Sequence, residues 1–210
     1  MTKKQLSRKQ RERLRHRQEI LDTALKLFSE RGFHNVSMQQ IAEASEFAVG
    51  TIYNFFASKE ALFDELTRSC GERIINELVG ILKGSGSEIE RLGKFIRHAP
   101  MLLEENAEFV KLYVSELGTR GAKISKRRNK EDSHIILDSE LQKLLNNGIR
   151  KGVFRKVDPK IATRAISSTI ETLAFENVGH FDKTAVKEMF EKVEQFFIDG
   201  LLLTEGRGND

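Results

Sequence analysis

Few folds accommodate two very short helices joined by a tight turn, and residues Ser37 to Lys59, S-M-Q-Q-I-A-E-A-S-E-F-A-V-G-T-I-Y-N-F-F-A-S-K, read as that arrangement. Ser37 and Gln40 form a capping box: hydroxyl and side-chain amide each satisfy a backbone group at a helix start. The spacing predicts a helix from Met38 to Ala44 or Ser45, with Met38, Ile41, Ala42 and Ser45 on one face and Gln39, Gln40 and Glu43 toward solvent or a partner. After the break Ser45-Glu46-Phe47-Ala48, a second helix is expected from Val49 to Phe56. Ile52 and Phe56 would face inward, leaving Val49, Thr51, Tyr53 and Asn54 outward. Two short helices with a tight connection make a helix-turn-helix candidate.

The run I-A-E-A-S-E-F-A-V-G-T-I-Y-N-F-F-A-S-K-E-A-L resembles the DNA-binding signature of the TetR-type (tetracycline-repressor-like) transcriptional regulators, with Gly50, Tyr53, Phe56 and Lys59 at the family's spacing. The motif resemblance covers residues 18 to 66. The phrase N-N-G-I-R-K-G-V-F-R-K-V-D-P is similar to a segment that commonly precedes the family's dimerisation helices. Two positions depart from the pattern: Glu46 stands where the family usually has a turn glycine, and Ala48 where it usually has a Ser or Thr N-cap. A left-handed conformation would disfavour Glu46, and Ala48 forgoes a cap worth about 1 kcal/mol. By this resemblance Tyr53 and Lys59 would contact phosphates. Val49, Gly50, Thr51 and Asn54 would approach base edges, with Phe55 at the groove margin and Gln39 alongside. Val49 suits a thymine methyl.

Charge is distributed unevenly along the chain. Residues 1 to 17 hold Lys3, Lys4, Arg8, Lys9, Arg11, Arg13, Arg15 and Arg17 against Glu12 alone. This leaves +7 in the arm of a chain whose total is +4, so the remainder carries −3. Such a run is ordinarily disordered or a solvated helix face. Directly before a helix-turn-helix, Arg13, Arg15 and Arg17 are assigned to DNA phosphates, where counterion release rewards them.

The rest reads as all-α. There are two prolines and no tryptophan, and Leu, Ile, Ala, Lys and Glu recur at helical spacing. A support helix is expected from Gln18 to Arg31, and a long helix capped by Ser58 and ending at Gly84. Phe28, Phe33, Val36, Ile41, Ile52 and Phe56 would form a small core. Beyond Gly84-Ser85-Gly86-Ser87, helices are expected at Glu88–His98 and Met101–Leu117, separated by Pro100. Gly118 to Asp132 reads as a polar, basic surface loop or a frayed helix start. Further helices follow over Ser133–Lys151, with Ile136, Leu137, Leu141, Leu144, Leu145 and Ile149 inward, from Pro159 behind the cap Asp158, and from Asp182 to Leu203. The expected organisation is a basic arm (1–17), a helix-turn-helix domain (18–60) and a larger helical ligand-binding and dimerisation domain (61–205).

Lone Cys70 forms no intramolecular disulfide, the five His are scattered, and no cofactor or metal site is read. No apolar run approaches the roughly 20 residues that span a bilayer, so no membrane partner and a cytoplasmic setting are expected. Neither a phosphate loop nor a catalytic motif is present, so the reading is not an enzyme. The family resemblance and the apolar stripes of the last two helices imply a homodimer through Ile166, Ile170, Val186, Phe190, Val193 and Phe197. Phe95, Leu102, Phe109, Leu112, Tyr113 and Phe175 would line an effector pocket, with Glu116, Asn177 or His180 for polar selectivity. The effector is expected to be a moderately large, mostly apolar small molecule, with Tyr113 and Glu116 on one helix face leaving room for a cationic one. The resulting expectation is a regulator, a repressor released from a palindromic DNA operator by that effector. The competing reading is an architectural protein that coats DNA without a ligand response.

Overall fold

The computed structural model describes residues 6–116, 133–177 and 182–202. Among these the architecture is helical, and the only extended pairing is an isolated antiparallel bridge between Phe154 and Leu202. The expected loop at 118–132 and His180 lie outside the described residues. Contacts divide the chain into two units. The first holds Met1–Cys70 with Lys111–Gly121, and the second holds Gly71–Val110 with Ala122–Asp210.

In the first unit, α1 spans Arg8–Arg31, ten residues earlier than the sequence led us to expect. Its start is fixed by a second capping box, Ser7 with Gln10, so the described part of the basic arm is a solvated helix. Ile20, Leu21, Ala24, Leu27 and Phe28 form its buried stripe. A 3₁₀ turn, Phe33–Asn35, leads to α2 (Met38–Ala44) and α3 (Val49–Phe55). The Phe33 ring packs at 5.3 Å from that of Phe28 and 4.8 Å from that of Phe63, placing three aromatics at the centre of this small core. Helix α4, Lys59–Lys83, opens with the Ser58 hydroxyl accepting the Ala61 N–H at 3.1 Å, as expected. The residues after Cys70 in α4 belong to the second unit.

In the second unit, α5 spans Glu88–Glu105 behind a third capping box, Ser87 with Glu90. It runs straight through Pro100, where a break was expected. Proline removes one N–H, but the helix is long enough and buried enough on that side, with Ala99, Pro100 and Leu102 inside, to absorb the loss. The break falls at Asn106, whose side-chain amide donates to the Leu102 carbonyl at 2.7 Å and competes with the helix ladder. Residues 107–116 are helical again (α6). Helices α7 (Ser133–Arg150), α8 (Pro159–Asn177) and α9 (Lys183–Leu201) complete this unit; α5 packs on α7, α8 and α9, and α7 packs on α8.

The sequence phrase around Gly148 acquires a physical cause here. Phe154 is fully buried against Gly148, where a Cβ would collide with its ring, and its N–H donates to the Gly148 carbonyl at 3.2 Å. Gly152, at φ 70°, turns the chain back for this contact. Ile136, expected inward, faces out instead at 51% exposed, and Ile161 stands 70% exposed on α8. Both lie on helices whose apolar residues cover a wide arc, so periodicity alone does not fix which edge is inside.

Candidate nucleic-acid interface

The interface is built from α2 and α3, the shortest α-helices among the described residues. Helix α2 has seven residues and is held at its start by Ser37, whose hydroxyl accepts the Gln40 N–H at 3.2 Å while Gln40 Oε1 accepts the Ser37 N–H at 2.8 Å. At its end the Ser45 hydroxyl donates to the Ile41 carbonyl at 2.6 Å, and the Phe47 N–H reaches the Ala42 carbonyl at 3.0 Å. Glu46 sits at φ 58°, among the described residues the one non-glycine at positive φ. The turn therefore demands a left-handed residue, and the carboxylate-bearing side chain there carries strain of about 1–2 kcal/mol. Ala48 starts α3 with no side-chain cap, as its methyl dictates.

Helix α3 is anchored on one side only. Ile52 is its single buried residue, with Phe56 buried just past its end. Gly50, Tyr53 and Asn54 are exposed, while Val49, Thr51 and Phe55 are half-buried. A Cβ on Gly50 would meet nothing, so the fold does not require glycine there. What a missing side chain gives is room for a partner to come close to the backbone. Tyr53 stands 51% exposed beside an open depression of ≈510 Å³, rimmed by Ser37, Gln39, Val49, Ser58 and Lys59. The starts of α2 and α4 both open onto it, a setting that favours negative charge.

Lys59 is turned inward. Its ammonium donates to the carbonyls of Phe33 and Val36, both at 2.8 Å, and lies 4.5 Å from the centre of the Phe33 ring. These bonds tie the start of α4 to the turn before α2, a structural task that the motif spacing alone did not reveal. The arm arginines also differ from one another. Arg17 pairs with Glu65 at 2.9 Å and lies over the Phe56 ring, so it braces the fold. Arg13 lies over Phe55 at 5.4 Å, beside the end of α3, and Arg15 stays on the outer surface near Glu19. Burial works against the charge of Glu65, but hydrogen bonds and charge from Arg68 and Arg17 outweigh it and hold its carboxyl below the ordinary value. Gln39 is exposed, within reach of Glu43 at 3.4 Å.

The expected effector residues fall in both units. Phe95, Leu102 and Phe109 are buried in the second unit, where Phe175 is half-buried and Asn177 bonds to the Leu173 carbonyl. Leu112, Tyr113 and Glu116 belong to the first unit, and the buried Glu116 carboxylate lies 3.9 Å from His34 Nε2. The expected dimer face needs a correction as well. Ile166, Ile170, Val186 and Phe190 are 0–4% exposed inside their own chain, which leaves them nothing to offer a second copy. Val193 and Phe197 are half-buried, and the exposed apolar residue of α9 is Phe196, at 73%.

A short α3 carrying outward polar and small residues beside an electropositive arm defines a helix-turn-helix DNA-binding regulator. Residues 20–66 match the family of bacterial regulatory proteins described as the tetR family, and residues 85–193 match its tetracycline-repressor-like C-terminal domain. The chain belongs to the TetR family of transcriptional regulators. It is similar to the HTH-type transcriptional repressor KstR2 of Mycobacterium tuberculosis (strain ATCC 25618 / H37Rv), at 29% identity over 159 residues, covering 73% of this chain and 76% of that one. The fatty acid metabolism regulator protein of Bacillus subtilis (strain 168) is 23% identical over 185 residues, 87% of this chain and 94% of its own. Among solved structures, FadR from Bacillus subtilis in complex with stearoyl-CoA superposes with a TM-score of 0.73 at 23% identity, covering 87% and 98% of the two chains. FadR from Bacillus halodurans gives 0.74 at 22%, covering 94% and 98%. Among the described residues, no helix is long and apolar enough to cross a membrane.

Proposed function

We propose that the protein is a repressor that binds a pseudo-palindromic operator as a homodimer and is released by an amphiphilic acyl thioester of the stearoyl-CoA kind. The observation that carries the DNA half is α3 itself, buried through Ile52 alone and open over Gly50. Thr51, Asn54 and Val49 then read base edges in the major groove with Phe55 at its margin, while Tyr53, Gln39 and Arg13 lie along the phosphates. Lys59 acts first as the brace of this head, and a phosphate contact would use whatever donor capacity its carbonyl bonds leave. The effector half draws on relatives with 29% and 23% identity, whose names concern a repressor and fatty acid metabolism. Glu116, beside His34, no longer calls for a cationic ligand.

The dimer face proposed in place of the expected one runs along the exposed side of α8 and α9. Ile161, Ala165, Ser168 and Thr172 lie at helical spacing on α8, all exposed and mostly small, and Phe196 stands out from α9 with Val193 and Phe197 at its edge. Phe196→Asp is expected to give a folded monomer in sedimentation whose operator affinity collapses, because one half-site alone is engaged at a time. A dimeric Phe196→Asp variant would remove this face from consideration. The effector test is a mobility-shift titration of the operator complex: micromolar stearoyl-CoA should release the DNA and free coenzyme A should not. No release by any acyl-CoA from short to long chain would end the effector reading while leaving the DNA reading intact.

A further inference from the structure

An open concavity of ≈730 Å³ lies where the C-terminal half of α7 meets the segment leading into α8. Its wall carries Gln142 and Asn146 from α7, one turn apart on one face, and Lys156 and Lys160 from the other side. Among the described residues, neither lysine is ion-paired, and neither amide side chain is hydrogen-bonded to another group of the chain. This contrasts with the lysines nearby: Lys151 is held by Glu88 at 2.7 Å and Lys143 by Glu140 at 2.8 Å. The one acid in the wall, Asp158, spends a carboxylate oxygen on the Lys160 and Ile161 N–H groups at 2.8 and 3.4 Å, which caps α8. The start of α8 is thus already satisfied, and it is the side chains that remain without partners.

The surroundings reinforce the sign. Arg155 precedes Lys156, and Arg164 follows Lys160 by four residues on the same face of α8; all four cations are exposed. This density stands out because residues 18 to 210 together carry a net negative charge. Lysines and amides converging on one concavity from two elements suit a ligand with several acceptor oxygens spread over a few ångströms. The volume falls within the roughly 300–1,000 Å³ usual for small-molecule sites. A carboxylate alone would leave most of these donors unused.

The geometry points to a binding site for a phosphorylated organic anion, of the nucleoside-diphosphate type, held by Lys156 and Lys160 with Gln142 and Asn146 donating from α7. Two sources share that chemistry: a free adenine nucleotide, or the phosphoadenosine-diphosphate end of an acyl-CoA. The second rests on the effector reading above, and the first does not.

Calorimetric titration of the full-length protein with ADP, coenzyme A and stearoyl-CoA tests the site and separates the sources. Wild type is expected to bind coenzyme A, with affinity falling as salt is raised. Lys156→Glu/Lys160→Glu should weaken that binding at least tenfold while the unfolding midpoint stays put, since both side chains are exposed. Lys192→Glu, an exposed charge reversal on α9, should leave it unchanged. Equal binding of ADP and coenzyme A assigns the site to free nucleotide. Stearoyl-CoA binding much more tightly than coenzyme A, and weakened by the same double variant, assigns it to the headgroup of the effector. The proposal is overturned if neither ADP nor coenzyme A binds wild type at millimolar concentration, if the double variant binds as wild type does, or if Lys192→Glu weakens binding as much. Coenzyme A binding through the two lysines with no release of operator DNA by any acyl-CoA would sink the effector reading and leave this site standing.

Discussion

The two units hold their helices by different means. In the first, α2 and α3 have seven residues each, well below the roughly 12–15 at which an isolated helix becomes even marginally stable. Side chains bonded to backbone therefore tie both ends of α2 and the start of α4, through Ser37 with Gln40, Ser45 onto the Ile41 carbonyl, and Lys59 onto the carbonyls of Phe33 and Val36, while the uncapped α3 is anchored through Ile52. In the second unit, α5, α7, α8 and α9 have 18 or 19 residues and bury continuous apolar faces, including Leu92, Phe95, Ile96, Leu141, Leu145, Ile166 and Phe190. Its buried charge is Glu88, bonded to Lys151 and Arg91. Helix ends are capped in both units, Ser87 with Glu90 and Asp182 in the second among them, but a helix as short as α2 depends on such bonds at both of its ends.

The largest test of this contrast is Phe33→Ala. Loss of a ring packed against Phe28 and Phe63 should cost about 3–5 kcal/mol. Amide exchange should accelerate through α2 and α3 while α7 keeps its protection; equal loss in α7 would mean the units do not differ in the way described. Next is Lys59→Met, which keeps the stem but leaves the Phe33 and Val36 carbonyls without their donor. A loss of about 1–3 kcal/mol in denaturant unfolding is expected, together with weaker binding to all DNA sequences alike. Unchanged stability with weakened binding would return Lys59 to a purely phosphate-facing role.

The buried carboxylate gives the second unit an acid weakness. The Lys151 hydrogen bond, helped by the Glu88 backbone N–H and the charges of Lys151 and Arg91, outweighs the burial penalty and holds Glu88 below its ordinary value of 4.5. A carboxyl with a lowered folded pKa adds stability that is present above the unfolded value and is lost as pH falls through the folded one. Glu88→Gln should therefore destabilise the protein at neutral pH and flatten the decline of its stability below pH 4.5, read by thermal melts across the acid range. An unaltered acid limb would show that other groups carry it. The smallest effects are expected at the turn: Glu46→Gly should stabilise by about 0.5–1 kcal/mol, relief of left-handed strain being partly offset by glycine's freedom in the unfolded chain, and Ala48→Ser should add about 1 kcal/mol if its hydroxyl finds the α3 N-terminus.

What the sequence disclosed follows the same division. In the first unit several helix starts have a local cause that is written in adjacent residues, so the Ser37 box and the Ser58 cap could be read directly. The early start of α1 was written too, in the S-x-x-Q of Ser7 to Gln10, beneath a charge run that drew attention to disorder. Lys59 was recognisable as important but not in its task, because its partners lie 23 to 26 residues away. In the second unit, helices that are apolar over a wide arc carry two faces in one pattern. Ile166 and Phe196 look equivalent on paper, and only packing separates a core residue from an exposed one. Pro100 misled for a related reason, since the rule against interior proline counts one lost bond and not the burial around it.

Whether α3 reads sequence is decided by footprinting on DNA selected from a random pool by the intact protein. A discrete protected site with two-fold symmetry and half-sites about one helical turn, or a small multiple of it, apart is expected, with a changed selected sequence for Asn54→Ala or Thr51→Val. Uniform protection along the DNA, with no sequence enriched and no difference between these variants and wild type, would contradict it and leave a protein that merely coats DNA.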